Sequence, residues 1–195
     1  MGGKGELTKQ TVLATATEIA GRLGLAGLTI GSLASQVEMS KSGLFGHFRS
    51  KEALQMEVLA YARESFVETV IHPALAAPRG ERRIRTLVER WLTCSLEREP
   101  GCLFVSADTE FDDQPGPVRD QLVRDHRDLM ESIAQMFRTG ISEGEFRPDA
   151  DPEQFAHDLY GVMLGFFHAH RLMNDPTAAT RSRRAVDALL GNARI

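Results

Sequence analysis

No stretch of this 195-residue chain approaches the roughly 18 consecutive apolar residues that a membrane-spanning helix needs. The opening residues, Met1-Gly2-Gly3-Lys4-Gly5-Glu6, contain no apolar core of a secretory signal. Both absences lead us to expect a cytoplasmic protein with no membrane partner. Cysteine is scarce. Cys94 and Cys102 alone are too few for a disulfide framework or a closed zinc site, and a cytosolic address keeps thiols reduced. Sustained apolar–polar alternation is missing, so no sheet is expected. A phosphate loop, a nucleophile motif and metal-ligand spacing are missing too, which argues against an enzyme, a cofactor or a bound metal. Positive charge is not in excess either: the formal net charge is −4, at first sight unpromising for a nucleic-acid partner.

The distribution of charge matters more than its sum. Residues 1–52 hold six basic and four acidic side chains, a net +2, and the remainder holds 17 basic and 23 acidic, a net −6. A mildly basic head thus precedes an acidic body. Apolar residues make up 42% of the chain, enough for a true core.

Turn signals cut the chain into pieces of helical length, about nine in all, so the fold class is all-α. Val12, Ala16, Ile19, Ala20 and Leu23 form one stripe on a helix from about Thr8 to Leu23. Thr29 can cap a short helix bearing Ile30, Leu33, Ala34 and Val37. After the break Glu38-Met39-Ser40, Ser40 can cap a third helix with Leu44 and Phe48, and Ser50 a fourth that Pro73 stops or kinks. Helices follow over about 81–97, ended by Pro100-Gly101, over 118–142 and over 152–173. A last one is closed by Gly191. The apolar stretch Cys102 to Phe111 reads as helix, with strand possible. Asp151-Pro152 and Asp175-Pro176 are both helix starts.

Two short helices joined by about three residues describe a helix-turn-helix. Leu33, Ala34, Val37, Leu44 and Phe48 can form the small core that sets the angle between them. Residues facing a DNA groove must be small or hydrogen-bonding, and Lys41, Ser42, Gly43 and Gly46 satisfy that. Glycine inside a helix costs about 1 kcal/mol relative to alanine, a cost that close approach to DNA gives reason to accept, although loose packing alone would also allow it.

The run Gly27-Leu28-Thr29, Leu33-Ala34, Ser40 through Phe48 and Ser50-Lys51-Glu52-Ala53-Leu54 resembles the TetR/AcrR family of transcriptional regulators. The likeness is close over about the first 55 residues, and beyond them rests on helix number and length, with Gly101-Cys102-Leu103-Phe104 and Glu110 to Val118 resembling a subgroup of the family. It implies a helix-turn-helix DNA-binding domain over 1–52, with three helices, and a larger helical ligand-binding and dimerisation domain over 53–195. Base reading falls on Lys41, Ser42 and Gly43, beside the cap Ser40. Phosphate contact falls on Thr29, Phe45, His47 and Lys51. Two positions depart from the family: Phe45 replaces the usual tyrosine, and Glu38 stands where a turn glycine is common. Phe45 is also open to a core role, and His47 and Lys51 to plain solvation.

The resemblance further implies a homodimer on a palindromic duplex, built from the last two helices. Gly161 and Gly165, four residues apart, would let helices approach closely, beside Leu164, Phe167, Val186, Leu189 and Leu190, or they ease packing within one chain. It also implies a small-molecule effector, most simply apolar, held near Phe66, Trp91, Cys94, Phe104, Met130, Met136 and Phe137, although each alone reads equally as core. Redox sensing by Cys94 and Cys102 competes with buried structural thiols. His157, His168 and His170 do not share one ion's reach on a helix. Glu110, Asp112 and Asp113 have no nucleophile or base beside them, so a solvated loop or cap is expected. A repressor is the leading function. The alternatives are an activator, a regulator without a ligand, a helical enzyme and a protein-interaction module.

Overall fold

The computed structural model describes residues 3–97 and 101–195. The Met1-Gly2 start and the Pro100 stop lie outside the described residues. The helices are α1 Gly3–Leu23, α2 Ile30–Gln36, α3 Lys41–His47, α4 Lys51–Phe66, α5 His72–Ala76, α6 Glu81–Glu97, α7 Leu103–Phe111, α8 Pro117–Ser142, α9 Pro152–Phe167 and α10 Ala178–Ala193. A π-helical turn, Val67–Ile71, joins α4 to α5, and another, His168–Leu172, extends α9. With these joined runs counted as single helices, the all-α expectation of about nine holds among the described residues.

Local chemistry explains most boundaries. Thr29 and Ser32 form a reciprocal capping box at α2, and the Ser40 hydroxyl accepts from the Gly43 amide at α3. Asp151 caps α9 by accepting from the Glu153 and Gln154 amides, both at 3.0 Å. Pro73 does not stop its helix. It has no N–H to donate one turn back, and the chain passes through the π-helical turn just before it. The stretch after Cys102 is helix. Gly191 lies inside α10 and does not follow it. Thr177 stands at the start of α10, while Asp175 accepts from both its amide and its hydroxyl.

The chain forms two compact units. The first comprises residues 1–66 and 97–124. Its core holds Val12, Ala16 and Ala20 of α1, Leu33 of α2, Leu44 of α3 and Phe48, all fully or nearly fully buried. Leu23 is 63% exposed, so the α1 stripe ends one turn early. The unit passes the expected boundary at residue 52 for a physical reason. Helices of seven residues bury little surface themselves, and Leu54 and Val58 of α4, Ala107 and Phe111 of α7 and Leu122 of α8 complete the same core.

The second unit comprises residues 67–96 and 125–195. Phe137 stacks on Phe146 at 4.5 Å and on Phe155 at 4.3 Å, with α9 packed on α10. Gly140 makes the stack possible, because a Cβ there would meet the Phe146 ring at 2.4 Å. No helix among the described residues is long and apolar enough to cross a membrane.

Candidate nucleic-acid interface

Inside α3 the side chains divide by face. Leu44 is fully buried, as is Phe48 just past the helix, and both hold the helix against the core of the first unit. Lys41, Ser42, Gly43, Phe45, Gly46 and His47 are all exposed. Three-and-four spacing sets this split: the inward pair is four residues apart and everything between them faces solvent. Phe45 is 52% exposed, which removes its core reading and leaves a bare aromatic ring on the outer face. Gly46 has open space where a Cβ would stand.

The remaining candidates surround this helix. Thr29 and Ser40 are exposed, and their hydroxyls are used as caps. The Ser40 and Ser42 hydroxyls lie 3.1 Å apart, a ready pair of donors and acceptors. Lys41 extends towards α2: a Cβ on Gly31 would meet its Nζ at 3.7 Å. Lys51 is exposed, yet its ammonium donates to the Ala26 carbonyl. That bond ties the start of α4 to the loop before α2. Glu38 has φ of 53°, which explains why glycine suits that turn.

Sequence reasoning missed the group that holds the loop between α1 and α2. Glu110, expected in a solvated loop or a helix cap, is part-buried near the end of α7 and accepts from the Leu25 and Ala26 amides at 3.2 and 2.6 Å. Gln55, also missed, is buried and donates to the Leu25 carbonyl at 2.9 Å. One signal was available: a carboxylate in the last turn of a helix opposes the helix dipole and needs a compensating partner. Asp112 and Asp113 remain exposed.

In the second unit, Trp91, Met136 and Phe137 are buried, and Cys94 and Met130 partly so. Phe66 and Phe104 belong to the first unit and are partly buried. A cavity of about 390 Å³ is lined by Ile71, Leu75, Arg83, Glu131, Gln135 and Met136, among others. Of the seven effector candidates it includes Met136. Arg83 donates to the Leu75 and Ala77 carbonyls, and Glu131 pairs with Arg138 at 2.9 Å. Neither Cys94 nor Cys102 is in a disulfide, and among the described residues no group of His, Cys, Asp or Glu is arranged to hold a metal ion. On α9, Gly161, Leu164 and Gly165 are exposed, with open space beside both glycines; Phe167, Val186 and Leu190 are buried within the chain, and Leu189 is partly buried.

Residues 12–58 match the model of bacterial regulatory proteins of the tetR family, and residues 80–186 match the tetracyclin repressor-like C-terminal domain. The HTH-type transcriptional repressor NemR of Escherichia coli K12 is 25% identical over 162 residues, 81% of each chain. The structure of a TetR transcriptional regulator from Chloroflexus aurantiacus superposes with a TM-score of 0.85 at 25% identity, covering 96% of this chain and 94% of that one. AibR, solved in complex with isovaleryl coenzyme A and operator DNA, shares the fold with a TM-score of 0.72 at 19% identity, covering 96% and 98%. These matches are to transcriptional regulators and not to enzymes, with α2 and α3 inside the first matched segment and α6 to α9 inside the second: the chain belongs to the TetR family of transcriptional regulators.

Proposed function

We propose that this protein is a cytoplasmic homodimeric repressor that binds a palindromic operator through α3 and leaves it when a small apolar effector binds the body. The observation that carries the reading is the division of α3: Leu44 is anchored in the core while Lys41, Ser42 and Gly43 stand exposed at the helix start. That is the arrangement in which the first turn of a recognition helix reaches base edges. Lys41 is suited to guanine, and Thr29, His47 and Lys51 to phosphates. Phe45 adds only apolar contact. In this reading residues 1–52 contact DNA and residues 53–195 bind the effector and the second subunit.

Two features support the dimer. A net +2 in the first 52 residues is weak for one head, and a two-fold pair doubles it. The exposed Gly161, Leu164 and Gly165 give α9 a face on which a second helix can lie close. For the effector, AibR is a relative in fold whose structure holds both operator DNA and a ligand. An effector releases DNA only if it binds the two conformations with different affinity.

A gel shift on the duplex flanking the chain's own gene, at low salt, tests DNA binding. Retardation that is lost with a compound found by thermal shift supports the whole reading. No retardation at low salt refutes it. Retardation that no stabilising compound reverses favours a ligand-independent regulator.

A further inference from the structure

We propose that Glu110, outside the helix-turn-helix, is a positioning residue for DNA recognition that fixes the loop leading into α2. The proposal rests on the DNA-binding reading above. Leu25 and Leu28 are fully buried, so the loop backbone is drawn inward and its polar groups need partners. The Leu25 carbonyl accepts from Gln55 and from the Leu28 amide, and the Ala26 carbonyl accepts from Lys51. The Leu25 and Ala26 amides donate to the two oxygens of one carboxylate, Glu110. Gly24, at φ of +81°, turns the chain into this arrangement, and a Cβ there would meet the Glu110 carboxylate at 2.4 to 2.9 Å. Successive amides converging on one anion form a small concave anion site, here filled from within the protein.

Gln55 and Lys51 lie on α4, the helix that follows the motif, whereas Glu110 comes from α7, 84 and 85 residues away in sequence. The loop is therefore held from both sides, and its α7 side depends on Glu110. Thr29, which caps α2, begins three residues after Ala26. Without the carboxylate the loop loses two charge-assisted bonds, and α2 and α3 must be ordered when they meet DNA. Ordering of that kind is subtracted from binding. The loss falls on recognition of a specific duplex, where the helix angle matters. It spares the loose electrostatic contact with any duplex.

The experiment uses the full chain with Glu110→Ala and Glu110→Gln, a duplex enriched by the wild-type protein from a random-sequence pool, and a scrambled duplex of equal length. Glu110→Ala is expected to lose about tenfold in affinity for the enriched duplex, with little change on the scrambled one. Its Leu25 and Ala26 amides exchange faster while the core amides stay protected. Glu110→Gln keeps one acceptor oxygen and falls between. Unchanged affinity, or an equal loss on both duplexes, overturns the proposal. Loss of core protection in both variants does so too, since it marks Glu110 as a general stability residue. If the wild-type protein enriches no duplex, the DNA-binding reading fails and the positioning role with it. Unchanged exchange at Leu25 and Ala26 in Glu110→Ala overturns the clamp alone.

Discussion

In the unit of residues 1–66 and 97–124, most long-range polar side chains hold backbone: Glu110, Gln55 and Lys51 all converge on Leu25 and Ala26, while Lys9 pairs with Glu57. In the unit of residues 67–96 and 125–195, they mostly hold one another. Arg183 pairs with Glu89 and Arg85 with Asp187, both between α6 and α10, and Arg194, just past α10, pairs with Glu81 of α6. The two patterns have different energetics. The Arg183–Glu89 pair is half-exposed and is worth about 0–1 kcal/mol. An amide drawn inward with a buried loop costs about 1–3 kcal/mol when its acceptor is removed. The first unit thus spends its polar groups on the shape of a loop beside the DNA-reading helices. The second draws its stability from the Phe137, Phe146 and Phe155 stack and other apolar burial.

The comparison breaks most visibly at Phe137. Phe137→Ala should cost about 3–5 kcal/mol in urea unfolding, because the cavity lies inside a stack closed on both faces. A loss under about 1 kcal/mol would show that the stack is not what holds the second unit. Leu164→Glu should act on association instead. Leu164 is 39% exposed, so the folded chain tolerates the charge, but burying it unpaired between subunits costs about 3 kcal/mol or more. Light scattering should show a shift to monomer with little change in far-ultraviolet circular dichroism. A stable dimer would place the interface elsewhere.

Within the first unit, Lys41 and Lys51 should separate. Lys41→Ala is expected to cost about 1–3 kcal/mol on the preferred duplex and to relax sequence choice. Lys51→Ala should weaken every duplex and flatten the salt slope by about one unit, with a further loss on the preferred duplex because Lys51 also holds the Ala26 carbonyl of the loop before α2. Fluorescence anisotropy titrations at several salt concentrations distinguish these, and equal effects from both changes would contradict the division of α3 from its rim.

Glu81 offers a pH test of the second unit. Hydrogen bonding from Arg194 is the main cause, joined by Arg85 and opposed by partial burial, and it lowers the carboxyl from 4.5 to about 2. A lowered carboxyl stabilises the fold fully above its unfolded value and loses that contribution as pH falls through the folded value. The stability gap between wild type and Glu81→Gln should therefore be present at neutral pH and close between about 4.5 and 2. A gap that stays constant down to pH 2 would remove the ion pairs from the account. The smallest effect is expected at Glu38→Gly, which relieves a left-handed backbone but adds freedom to the unfolded chain, for a net change within about 1 kcal/mol. A melting curve reads it.

Local signals made much of the head legible. Thr29 and Ser40 cap the helices they precede, and the Leu44–Phe48 pair is buried as its spacing predicts. Glu38 stands where glycine is common in the family, and its positive φ gives the reason. What stayed hidden depends on pairs far apart in sequence. Nothing near Glu110 shows that it meets Leu25, 85 residues earlier. Leu23 continues a helical stripe on paper, but exposure depends on what lies opposite it, which periodicity does not record. In the same way Met136 and Phe137 are neighbours of one type in sequence, yet one lines a cavity and the other is sealed in a stack.

The central claim is that α3 reads DNA as one half of a two-fold pair. Selection of duplexes from a random-sequence pool by the full chain tests it most directly. The expected outcome is an enriched duplex with two inverted half-sites about one helical turn apart, bound by two chains or a multiple of two. Enrichment of an asymmetric site bound by a single chain, or no enrichment at low salt, would contradict it.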